Sequence, residues 1–122
     1  MAIQTIEQQR AKYALEKIQK ISPEDHEEWL SRATEIPAMI QMNGLGQTMA
    51  FYRSKGDIHN KMYDLVSVWL CEKMKVFQNQ KDLMMGIVSA DMSTYRMAQA
   101  ESQALLIWVK KFSKAYCRKK EV

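Results

Sequence analysis

The chain reads as all-α: a compact bundle of five to six helices in one domain, 1–122, closed by a long C-terminal helix. Three observations predict this. Apolar residues recur at three- and four-residue spacing from end to end, and no stretch alternates with period two over a strand length. Only two prolines and four glycines punctuate 122 residues, too few for a loop-rich or β-rich domain. An apolar fraction of 47% with 26% charged residues suits a globular core and excludes a membrane-embedded chain.

The first helix carries Ala11, Ala14, Leu15, Ile18 and Ile21 on one stripe, with Arg10, Lys12, Glu16 and Lys20 directed away. Ser22-Pro23-Glu24-Asp25 starts a second helix. Ser22 can cap, Pro23 fits the first helical position, and the acids Glu24, Asp25, Glu27 and Glu28 complement the positive end of the helix dipole. That helix is expected to stop near Glu35, because Pro37 removes a donor and disfavours helical geometry at Ile36. A short helix from Pro37 to Met42, a break at Asn43-Gly44, and a helix from Leu45 to Ser54 follow. Gly44 and Gly46 allow close backbone approach. Lys55-Gly56-Asp57 stops this unit. A central, most buried helix then spans Ile58 to Lys75 on Met62, Leu65, Val66 and Trp69. Asp82 caps a short helix through Val88 after a polar connector, and Ser89-Ala-Asp91 opens the last helix. Its seam is Tyr95, Ala98, Ser102, Leu105, Val109, Phe112 and Tyr116, while Arg96, Lys110 and Lys114 share one angular position that Arg118 extends.

Ten methionines suit helical core filling or an adaptable contact surface. Cys71 and Cys117 lie far apart, in no Cys-x-x-Cys or Cys/His cluster, and read as buried free thiols of a reducing compartment. The first residues lack a basic region followed by an apolar run, and no stretch approaches the roughly 20 apolar residues of a membrane span. The expected location is cytoplasmic.

No catalytic constellation emerges, and no metal or cofactor is expected. His26 and His59 read as solvated. Gly44-Leu-Gly46 has two glycines of a dinucleotide fingerprint but lies between helices rather than after a strand. Glu101, at the edge of the last helix's buried seam, reads as structural and requires a partner such as Arg, Lys or backbone amides. Net charge is +4, with basic residues gathered in the first and last segments; six follow Trp108 against Glu121 alone. Such polarity suits one surface facing an anion, and Phe51-Tyr52-Arg53-Ser54-Lys55 suits a groove tracking a nucleic-acid backbone. Solubility and dipole complementation account for the same lysines.

Pro37-Ala-Met-Ile-Gln-Met-Asn-Gly-Leu-Gly-Gln-Thr-Met-Ala-Phe51 resembles the central motif of the small α-helical subunit of the Cmr effector complex, the type III-B CRISPR–Cas machine that targets RNA. Arg10-Ala-Lys-Tyr-Ala-Leu15 is similar to that family's first helix. Tyr95-Arg-Met-Ala-Gln-Ala-Glu101, continued by Leu105 to Phe112, is similar to its last; Lys73 to Val88 is unassigned. The resemblance implies a non-catalytic subunit in antiviral defence. Such subunits stack in more than one copy opposite the backbone subunits, and together they enclose CRISPR RNA and target RNA. It implies no membrane and no small-molecule substrate. The cations expected to face RNA are Arg10, Lys12, Arg53, Lys55, Arg96, Lys110, Lys114 and Arg118. Pro37, Asn43, Gly44 and Gln47 shape the joint, with Gln47 as its cap. A protein-binding adaptor without nucleic-acid contact remains open. So does a helix-turn-helix DNA-binding protein using Pro37–Ser54.

Overall fold

The computed structural model describes residues 3–118 as five helices: α1 (Ile6–Gln19), α2 (His26–Arg53), α3 (Asp57–Val68), α4 (Leu83–Ser89) and α5 (Met92–Tyr116). A 3-10 turn at Pro23–Asp25 precedes α2 and a π turn at Trp69–Lys73 follows α3; there is no strand among the described residues. Lys119, Lys120 and Glu121, part of the basic C-terminal count, lie outside them.

Local chemistry sets several of the boundaries. Thr5 and Gln8 form a reciprocal capping box at α1: the Gln8 N–H donates to Thr5 Oγ1 at 3.1 Å and the Thr5 N–H to Gln8 Oε1 at 2.8 Å. Asp82 accepts from the Met84 N–H at 3.1 Å and Asp91 from the Thr94 N–H at 2.7 Å, capping α4 and α5 as their positions predict. Ser22 departs from expectation. Its side chain makes no capping bond, and Pro23 opens the 3-10 turn from which α2 begins.

The largest departure is at Pro37, where α2 continues instead of ending. Proline inside a helix costs about 3 kcal/mol. Trp29, Leu30, Ala33, Ile36 and Ile40 keep one buried register across it, with Ala33, Ile36 and Ile40 fully enclosed. Each isoleucine buried in that register contributes about 2 kcal/mol, so the two flanking Pro37 offset its cost. The break comes at Gly44, whose φ of 84° and ψ of 162° are the only non-helical values inside α2.

The segment of α3 and its π turn is the most buried, as expected, but the helix along which α1 and α2 both pack is α5. Both run antiparallel to it: Glu7 and Arg10 meet Trp108 and Glu101, while Trp29, Pro37 and Leu45 meet Ser113, Gln103 and Gln99 in turn. Ala98, Ser102, Leu105 and Val109 of the expected seam are buried, Tyr95 and Phe112 are half-buried, and Tyr116 is exposed. On α1 the buried set is Tyr13, Ala14 and Ile18, and the Tyr13 hydroxyl donates to the Leu65 carbonyl at 2.6 Å, joining α1 to α3. That third helix stops short of Lys75 by widening into the π turn, whose Leu70 carbonyl accepts from the Val76 N–H at 2.9 Å.

Cys71 and Cys117 are buried free thiols, pushed up in pKa by burial and so poorly nucleophilic. The methionines divide between both readings: Met49 and Met62 are fully buried, whereas Met42, Met85, Met92 and Met97 are exposed.

Phe77 is buried against Gly86 of α4. A Cβ at Gly86 would stand 2.5 Å from Phe77 Cγ and 2.8 Å from its Cβ, atoms too near the Phe77 backbone to swing aside. Gly86→Ala is therefore expected to destabilise the protein by about 2 kcal/mol through overpacking. A urea titration with unchanged m-value and a lowered midpoint is the expected result.

Candidate nucleic-acid interface

On α5, Arg96 and Lys110 are separated by 14 residues, close to four helical turns, and Lys114 follows one turn later. Along that face Ala100 and Ile107 are exposed like Arg96 and Lys114, while Gln103 and Lys110 are half-buried, Gln103 reaching α2 at the Pro37 carbonyl; the buried residues Ala98, Ser102, Leu105, Leu106 and Val109 occupy the opposite side. Arg96, Lys110, Lys111 and Lys114 form no ion pair among the described residues. Arg118 lies just beyond the end of α5; its side chain is exposed and its N–H donates to His26 Nδ1 at 3.1 Å. His26 Nε2 stands 3.0 Å from the Ile21 carbonyl, so this ring latches three chain segments rather than facing solvent.

Arg53 and Lys55 form a separate group at the end of α2. The Arg53 guanidinium lies over the Tyr63 ring at 4.8 Å, donates to Asn60 Oδ1 at 3.0 Å and stands 3.8 Å from Asp64. Lys55 lies over the Phe51 ring at 5.0 Å. His59, between these elements, is half-buried against Tyr52 with ring centroids 4.8 Å apart. Burial, then the neighbouring Arg32 charge, lowers its pKa, and this too differs from the solvated reading. Lys12 is exposed on α1.

Arg10 is drawn inward. Its Nε and Nη2 each donate at 2.7 Å to Glu101, Oε2 and Oε1 respectively, and Nη1 pairs with Glu7. Trp69 Nε1 donates to Glu101 Oε2 at 3.0 Å. The Arg10 and Glu101 side chains are 14% and 10% exposed, so this bidentate pair holds α1, α5 and the π turn together. Hydrogen bonding to Glu101 raises the Arg10 pKa further above its ordinary range. Burial pushes Glu101 upward, but the hydrogen bonds from Arg10 and Trp69 outweigh it, and the carboxyl ends below its ordinary 4.5.

The Gly44 joint is capped from outside α2. Past Gly44, the Leu45 N–H donates to Gln99 Oε1 at 2.9 Å and the Gly46 N–H to the Tyr95 hydroxyl at 2.9 Å. Gln103 Nε2 adds a bond to the Pro37 carbonyl at 2.9 Å. Gln47, expected to cap the joint, is not among the residues that cap it; those amides are taken by α5, and Asn43 is exposed. Sequence reasoning missed Tyr95 and Gln99 as caps. The available signal was their i, i+4 spacing on the face of α5 next to its buried seam. Because the two caps flank Arg96 in sequence, the joint and the first cation of the α5 row share one short stretch of helix.

A kinked helix capped by its neighbour, a buried ion pair fastening the bundle and a row of cations along one face of α5 define a small all-helical bundle protein. A family model described as CRISPR-associated protein (Cas_Cmr5) matches residues 6–116. The chain belongs to the Cas_Cmr5 family and is a Cmr5-type subunit of type III-B CRISPR systems, a structural component that assembles with other Cmr subunits. The X-ray crystal structure of a CRISPR-associated Cmr5 family protein from Thermus thermophilus shares its fold, with a TM-score of 0.76 at 23% identity over 95% of this chain and 100% of that one. No helix among the described residues is long and apolar enough to cross a membrane.

Proposed function

We propose that this subunit is non-catalytic and helps line the channel holding CRISPR RNA and its target, with the outward face of α5 turned to the phosphates. The observation carrying this reading is the row Arg96, Lys110 and Lys114, free of carboxylate partners among the described residues and continued by Arg118. Lysine and arginine on a rigid helix attract a polyanion without regard to base, which suits a complex in which guide–target pairing reads the sequence. Arg53 and Lys55 at the end of α2 and Lys12 on α1 supply further cations, whereas Arg10 is committed to Glu101. Exposed methionines on α2, α4 and α5 offer adaptable contacts to neighbouring subunits, including further copies of the chain.

Replacing Arg96, Lys110 and Lys114 by glutamate in the assembled complex is expected to weaken target-RNA binding by about 30-fold at physiological salt. The slope of log K against log salt should flatten by about 2. Filter binding at several salt concentrations reads both quantities. An unchanged slope would leave α5 as a protein-facing surface, the adaptor alternative.

A further inference from the structure

The connector between the π turn and α4, outside the sequence motifs quoted above, is anchored at Phe77 and carries polar side chains with no hydrogen-bond partner among the described residues. Phe77 anchors it against Gly86, and the Leu70 carbonyl accepts from both the Val76 and Phe77 N–H groups, at 2.9 and 3.4 Å. Lys75 and Asn79 adopt φ of 53° and 66°, left-handed values that asparagine takes readily in turns and lysine less often. Around this turn lies an open groove of about 820 Å³, lined by Glu72, Lys75, Gln78, Asn79, Gln80 and Lys81 together with the buried Cys71. Lys75 and Lys81 form no ion pair among the described residues. The side-chain amides of Gln78, Asn79 and Gln80 form no hydrogen bond there either. The connector has no large exposed apolar side chain, since Phe77 is buried and Val76 half-buried.

We infer that this groove is a second contact for single-stranded RNA, recognising its sugar–phosphate backbone. The two ammonium groups supply phosphate partners, and the amides can both donate and accept toward phosphate or ribose. Glu72 on the wall is an acceptor suited to a 2′-hydroxyl. An apolar partner surface fits poorly, because it would strip water from these groups without replacing their hydrogen bonds. The inference rests on the reading of this subunit as an RNA-channel component, but its residues are distinct from the α5 row.

The test uses the assembled complex with guide RNA and a labelled target oligoribonucleotide. Lys75→Glu with Lys81→Glu is expected to reduce target affinity about tenfold near 0.15 M salt and flatten the salt slope by about 1.4, the loss of two single-strand phosphate contacts. Lys75→Arg with Lys81→Arg should keep near-native affinity, which separates lost charge from a disturbed loop. Ultraviolet crosslinking followed by peptide mapping should place RNA on Lys73–Lys81. Unchanged affinity and slope in the glutamate variant, while the α5 variant retains its effect, would overturn the groove alone. Crosslinks from the connector only to a neighbouring protein would do the same. Loss of effect in both variants, with no RNA on any peptide of this subunit, would overturn the channel reading itself.

Discussion

Glu101→Ala is expected to cost about 3 kcal/mol of folding stability, the low end for breaking a buried ion pair, because Glu7 remains to receive part of the Arg10 charge. For a chain of this length that lowers the melting temperature by about 10 °C. The substitution removes the acceptor of three hydrogen bonds, two from Arg10 and one from Trp69, and leaves the largely buried guanidinium with Glu7 alone. The pH dependence follows from the direction of the shift. Glu101 in the folded protein titrates below its ordinary 4.5, so its contribution is complete above that value and is lost as pH falls through the folded value. Melting temperatures recorded from pH 7 to pH 3 should therefore decline more steeply in the native protein than in Glu101→Gln. Parallel curves would show that Glu101 does not carry this stabilisation.

Gly44→Ala is expected to destabilise by about 3 kcal/mol, and for a different reason. The backbone at Gly44, φ 84° and ψ 162°, is essentially reserved for glycine, at a cost of about 1–3 kcal/mol for any other residue. The added Cβ would also stand 3.3 Å from the Tyr95 hydroxyl that caps Gly46, weakening a bond worth about 1 kcal/mol. Gly46→Ala serves as the control. Gly46 has no positive φ, and its Cβ would meet Ile87 Cγ2 at 3.3 Å, so a gain in helix propensity of about 1 kcal/mol opposes a tight contact. Chemical denaturation should separate the two sharply; equal losses would mean that crowding, not backbone conformation, governs the joint.

Much of the fold was legible because it follows from short-range rules. Asp82 and Asp91 cap the helices they precede, Gly44 marks the break in α2, and the apolar spacing of α5 identifies its buried side. The Thr5–Gln8 capping box was equally readable but overlooked, since it precedes the first apolar stripe. Pro37 was misjudged because a local rule was applied where burial decides: Ile36 and Ile40 are worth more inside the bundle than the lost backbone bond costs. Ser22 failed for a related reason, as the 3-10 turn displaced the helix start beyond its reach. Of the eight candidate cations, spacing grouped Arg96, Lys110 and Lys114 on α5. It could not tell that Arg10, on the same amphipathic pattern as Lys12, turns inward.

The sequence by itself determined the helical class, the glycine joint, most caps and the family motif, all matters of nearest neighbours along the chain. Only the tertiary structure decided how the joint is satisfied, which arginine is internal and where the unpaired polar side chains of the connector lie. The physical reason is that these depend on partners far apart in sequence. Gln99 and Tyr95 reach the amides of Leu45 and Gly46, and Glu101 reaches Arg10, only after α1 and α2 have packed antiparallel along α5. A buried polar group must find such a partner wherever the chain supplies one.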